Sequence, residues 1–142
     1  MKTSRRNSRS QALQVLYQLD VQKSLGLSQG LEYFRAHFDT TGSERQFVEK
    51  LLVGVSNHVG EIDKIIAEAA NHWRIDRMSM VDRNILRLGV FELCHCDDIP
   101  ATVTINEMVE LAKEFGEDQT KNFVNAILDR VRLTHPIAGK VE

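Results

Sequence analysis

Apolar residues recur three and four positions apart along almost the whole of this chain, while strict apolar–polar alternation is nearly missing. Side chains at that spacing stack on one face of an α-helix and scatter over both faces of a strand. The chain is therefore expected to be all-α. Only two prolines, Pro100 and Pro136, interrupt it, so breaks fall mainly at glycines and polar clusters.

The spacing predicts about seven helices, packed as two small helical bundles. The first runs from about Ser4 to Lys23, with Ala12, Leu13, Leu16 and Leu19 as its stripe and Tyr17 on the flank. A short second helix covers about Ser28 to Phe38. A third follows Ser43 as N-cap and carries Phe47, Leu51, Leu52 and Val55. The fourth holds Ile62, Ile65, Ile66, Ala69 and Trp73 after a break near Gly60. Ser79, with Asp82 three residues on, has the spacing of an N-cap opening a helix whose Val81, Ile85, Leu86, Gly89, Val90 and Leu93 cover a wide arc. So broad an apolar surface implies a central helix. Thr104 and Glu107 repeat the capping pattern ahead of Met108, Ala112 and Phe115, with Gly116 closing that helix. The last helix begins between Asp118 and Thr120 and stops before Pro136.

At 142 residues, 42% hydrophobic and 27% charged, the chain has the composition of a folded soluble protein and room for one well-filled core. We read residues 1–142 as a single domain. No apolar run approaches the roughly 18 residues of a membrane span, and the charged N-terminus lacks the apolar stretch of a signal peptide, so no membrane partner and a cytoplasmic location are expected.

Net charge is only −2, yet Lys2, Arg5, Arg6 and Arg9 all precede the first acidic residue, Asp20. Residues 1–19 thus carry +4, leaving −6 on the rest. On a continuous helix Arg5 and Arg9 would share the azimuth of Ala12 and Leu16, where burying unpaired guanidinium groups costs several kcal/mol. The expectation is that residues 1–10 form a basic flexible arm projecting from the bundle. Arginine suits such an arm for RNA: its planar fork bonds two phosphate oxygens at once and stacks on exposed bases. A run of four basic residues is also what a solvated tail looks like.

Other constellations offer little chemistry. Cys94-His95-Cys96-Asp97-Asp98 resembles a metal cluster, but residues two apart on a helix point about 200° apart. Cys94 is expected in the core and Cys96 at the surface. His37, His58, His72, His95 and His135 are scattered singly, and no nucleophile elbow, phosphate loop or metalloprotease pattern occurs. Glu107, Glu110 and Glu114 line up on one helical face that reads as solvated. No catalysis, no cofactor and no metal are expected.

Three segments in order carry more than periodicity: RRNSRSQALQVLYQLD at the start, VDRNILRLGVFEL followed by IPATVTINEMVELAKEFG in the middle, and KNFVNAILDRV near the end. With the Asp82-Arg83-Asn84, Ile105-Asn106-Glu107 and Phe123-Val124-Asn125 patterns inside them, the chain resembles the NusB family of transcription antitermination factors over nearly its whole length. The resemblance implies an all-α fold that binds the boxA RNA of ribosomal RNA leader transcripts together with the ribosomal protein NusE, and helps RNA polymerase pass terminators within an antitermination complex. It implies RNA contacts at Arg5, Arg6 and Arg9, continuing over Tyr17, Arg87 and Phe123. Tyr17 and Phe123 equally fit core positions, and Arg87 equally fits an ion pair with Asp82 or a glutamate. Gln119 and Ala126 depart from the family pattern beside Phe123. Exposed apolar surface could serve a homodimer, and the acidic face of Glu107, Glu110 and Glu114 could meet the ribosomal protein. Two other readings stay open: a pure protein-interaction module, and a helical fragment of an RNA cytosine methyltransferase, for whose α/β domain 142 residues leave no room.

Overall fold

The computed structural model describes residues 4–71 and 73–135, and among them every long element is a helix. The chain divides into two compact units, Met1–Asn57 and His58–Glu142. No helix among the described residues is long and apolar enough to cross a membrane.

The first unit holds α1 (Ser4–Val21), α2 (Leu27–His37) and α3 (Gly42–Asn57). Ala12, Leu13, Val15 and Leu16 of α1 are buried with Phe34 of α2 and Phe47, Val48, Leu51, Leu52 and Val55 of α3. This is the three-and-four pattern expressed as a core. α2 lies close to α1 at Gly30, where a Cβ would come within 2.9 Å of Leu19 Cδ1. α3 starts at Gly42, whose φ of +63° suits glycine, so Ser43 sits inside the first turn and does not cap it.

The second unit holds α4 (Val59–Ala69), a 3-10 turn (Ile75–Arg77), α5 (Met80–His95), α6 (Ala101–Phe115) and α7 (Thr120–Thr134). α5 is the central helix the sequence implied: Ile85, Leu86, Leu88, Val90 and Leu93 are buried, and α4, α6 and α7 pack around it. Ser79 caps it as expected, accepting a 3.0 Å hydrogen bond from the Asp82 amide. At Gly89 a Cβ would fall 2.6 Å from Leu128 Cδ1 and 3.2 Å from Met108 Cγ, so glycine lets three helices meet there.

Several boundaries differ from the sequence reading. The break before α4 is at His58, its N-cap, and α4 ends at Ala69; Trp73 leaves the helical stripe and is 57% exposed. α6 starts directly after Pro100, which stands as its N-cap with an extended backbone (φ −59°, ψ 143°), so Thr104 lies a turn inside. Its hydroxyl donates instead to Oε1 of the fully buried Glu92 at 2.8 Å. A buried carboxylate left without donors would cost several kcal/mol, which gives Thr104 a stronger use than capping. The cysteines are exchanged relative to expectation: Cys96 is buried, because the chain leaves the helix at that residue, while Cys94 is half-buried.

Candidate nucleic-acid interface

The basic N-terminal residues are not a projecting arm from Ser4 onward. They form the first turns of α1; Lys2 lies outside the described residues. Arg9 is only 3% exposed. The guanidinium of Arg5 sits 4.5 Å from the centre of the Phe47 ring and that of Arg9 5.5 Å from it. On the core azimuth an arginine was expected to be buried without a partner. It meets an aromatic face instead, and a weakly hydrated guanidinium stacks there favourably. None of Arg5, Arg6 and Arg9 is without further interactions.

This end of α1 is also fastened to α3 and to the loop before it. The buried Ser8 donates its hydroxyl hydrogen to the Glu44 carbonyl at 2.9 Å, and Thr40 donates to Gln11 Oε1 at 2.6 Å. The arginines are therefore presented on a rigid helix. Arg6 is half-buried and Tyr17 is 39% exposed. They are eleven residues apart, three helical turns within roughly 20°, so they occupy one face about 16 Å apart. A single-stranded backbone following that face would pass from a cation to an aromatic ring.

Nearby charges in the first unit are paired. Glu49 accepts from Arg35 Nε at 3.2 Å and from Arg45 Nε at 3.1 Å. Burial pushes the Glu49 carboxyl up, but the hydrogen bonds from Arg45 and Arg35 outweigh it and hold its pKa below the ordinary value.

In the second unit Phe123 is half-buried and lines an open groove of 1130 Å³, with Trp73, Arg77 and Met78 around it. Asp82, Glu117 and Asp118 also line this groove, with Arg77 the one cation among the described lining residues. Such a surface repels phosphate and favours an uncharged or aromatic group. Gln119, one of the two departures from the family pattern, is an exposed groove residue; Ala126 is exposed and is not part of the lining. Within the 3-10 turn, the hydrogen bond from Arg74 to Asp76 lowers the Asp76 pKa. Arg87 does not join the groove. Its Nε and Nη2 donate to Asp63 Oδ1 and Oδ2 at 2.9 and 3.0 Å, a two-pronged bridge from α5 to α4, and its side chain is 15% exposed. The sequence anticipated an ion pair as one option, with Asp82 or a glutamate; the partner is Asp63.

Among known proteins, the NusB family profile matches residues 6–132. The chain belongs to the NusB family. It is 43% identical to the transcription antitermination protein NusB of Myxococcus xanthus over 132 residues, covering 90% of this chain and 94% of that one. The structure of T. maritima NusB superposes with a TM-score of 0.90 at 34% identity, covering 99% of this chain and 98% of that one. A structure of the antitermination factors NusB and NusE in complex with dsRNA is similar at a TM-score of 0.82 and 27% identity, covering 92% and 97%. These relatives bear the names of antitermination factors and not of catalysts.

Within this NusB fold, the arginine contacts of the buried Phe47 and the exposure of Trp73 escaped the sequence reading. Phe47 was assigned to the core stripe of α3; nothing local shows that two arginines 38 and 42 positions earlier lie across its ring. Trp73 was assigned to α4. The polar Asn71 and Arg74 flanking it were the signal of a loop, and Asn71 indeed has a φ of +56°.

Proposed function

We propose that this protein is an RNA-binding antitermination factor that takes up boxA-type RNA of ribosomal RNA leader transcripts together with the ribosomal protein NusE and helps RNA polymerase read through terminators. The observation that carries the reading is the rigid basic end of α1, where Arg5, Arg6 and Arg9 stand together with an exposed Tyr17 further along the helix. The NusB relatives and the NusB–NusE–RNA structure support it by their names. Arg6 and the outer edge of Arg5 meet phosphates, and Tyr17 offers a face to an unpaired base. Phe123 and Trp73 form a second aromatic surface, better matched to a base than to phosphate. Arg87, bound to Asp63, acts by holding α5 to α4.

The experiment is fluorescence anisotropy of a labelled boxA-like RNA with and without NusE. We expect cooperative tightening when both proteins are present. Arg6→Glu should weaken binding by about tenfold or more and flatten its salt dependence. Unchanged affinity in that variant, with tight binding to NusE alone, would favour the pure protein-interaction module.

A further inference from the structure

The histidines look scattered in the sequence, but the second unit brings two of them together. His58 is the N-cap of α4, Glu61 stands in the first turn of that helix, and His95 is the last residue of α5. Glu61 Oε1 lies 3.4 Å from His58 Nδ1 and 3.5 Å from His95 Nε2. Ligand atoms from all three residues lie within 4.8 Å of one another. The His58 and His95 rings stack at 4.1 Å between centroids, and the Phe91 ring backs His95 at 5.4 Å.

The decisive feature is His95 Nε2, which is buried and makes no hydrogen bond. Glu61 at 3.5 Å is within ion-pair range but too far for a hydrogen bond. A buried ring nitrogen without a partner is costly and rare, and it asks for a group that approaches it directly.

We propose that His58, Glu61 and His95 form a site for a divalent transition-metal ion of the zinc class. Zinc bonds to nitrogen and oxygen run about 2.0–2.2 Å, so tetrahedral neighbours stand roughly 3.3 Å apart. The two distances from Glu61, 3.4 and 3.5 Å, already match that edge. The nearly parallel rings aim their lone pairs side by side, so the ion requires one ring to turn. His58 is the one able to do so, since its side chain is 40% exposed at a helix end. Two imidazoles and one carboxylate suit zinc, cobalt or nickel and not the all-oxygen shells of calcium or magnesium. Water fills the remaining position. The ion would tie the start of α4 to the end of α5, close to where Phe91 enters the core.

The test takes the full chain without an affinity tag, stripped with a chelator and titrated with cobalt(II) chloride. We expect one equivalent to bind with a dissociation constant of about 10 µM or tighter, giving the intense visible absorption of a four-coordinate ion that zinc then displaces. Metal should also raise the melting temperature. Glu61→Gln and His58→Asn alter exposed side chains, so the metal-free fold should be unchanged by circular dichroism while cobalt affinity falls by about tenfold or more. Absence of a saturable band overturns the proposal. So does equal affinity in both variants, which would place the ion on the remaining histidines.

Discussion

The two units handle arginine in opposite ways. In the first, Arg5 and Arg9 are laid over the ring of Phe47, which orients their guanidinium groups. In the second, Arg87 is bound by both oxygens of Asp63, and its charge is cancelled where it stands. An aromatic seat holds a guanidinium by its face, whereas the Asp63 carboxylate holds Arg87 by its N–H edge. The difference favours the proposal that α1 faces RNA and that Arg87 is structural; the sequence pointed to the arginines of α1 by charge and position, and to Arg87 only through the family resemblance, with an ion pair as the equal alternative.

Substitutions should separate the two roles. Removing the seat altogether, with Phe47→Ala, should cost the most, about 3–4 kcal/mol in urea unfolding, because a buried aromatic side chain is lost along with its contacts. Phe47→Leu keeps most of the apolar burial and should cost less, about 1–2 kcal/mol, part of it the lost attraction of two cations for the ring. A further expectation is weaker RNA binding in that variant, since Arg5 and Arg9 lose their orientation. If Phe47→Leu leaves RNA affinity untouched, the aromatic seat is irrelevant to function.

Asp63→Asn is the matching change in the second unit. It leaves a mostly buried guanidinium with a neutral partner and should cost about 1–2 kcal/mol. RNA affinity should not fall; a tenfold loss there would mean that Arg87, or the geometry it maintains, belongs to the RNA surface after all. The smallest effect is expected at Glu49, whose pKa is lowered below its ordinary 4.5 by Arg45 and Arg35 against the effect of burial. The stability from this group is complete above the ordinary value and is lost as pH falls through the lowered one. Glu49→Gln should therefore reduce stability at neutral pH by less than about 1 kcal/mol, with the difference from the unsubstituted protein shrinking in acid.

What could be read from the sequence, and what could not, follows from how far apart the interacting residues are. The seven helices and the centrality of α5 were legible because each apolar stripe lies within one segment. Ser79 was legible as a cap because its partner Asp82 is three residues away. Thr104 was misread because its true partner, Glu92, is on another helix, and a buried carboxylate outranks a cap. Arg9 was misread for the same reason: among its contacts is the ring of Phe47, a residue of α3 that only the packed unit brings beneath it. The site residues divide likewise. That the basic end of α1 is a surface feature at Arg5 and Arg6 could be seen from charge alone, but that Arg87 is held by Asp63 could not.

The central claim is that the helical arginine cluster of α1 is the electrostatic footprint for RNA. The most direct measurement is the salt dependence of boxA-like RNA binding for the unsubstituted protein and for Arg5→Ala/Arg6→Ala, with circular dichroism confirming that both fold alike. Each lost phosphate contact removes roughly 0.7 from the slope of log affinity against log salt on single-stranded RNA. Our account predicts a slope shallower by about 1–1.5 and weaker binding at low salt in the double variant. Identical slopes would contradict it and move the RNA surface away from α1.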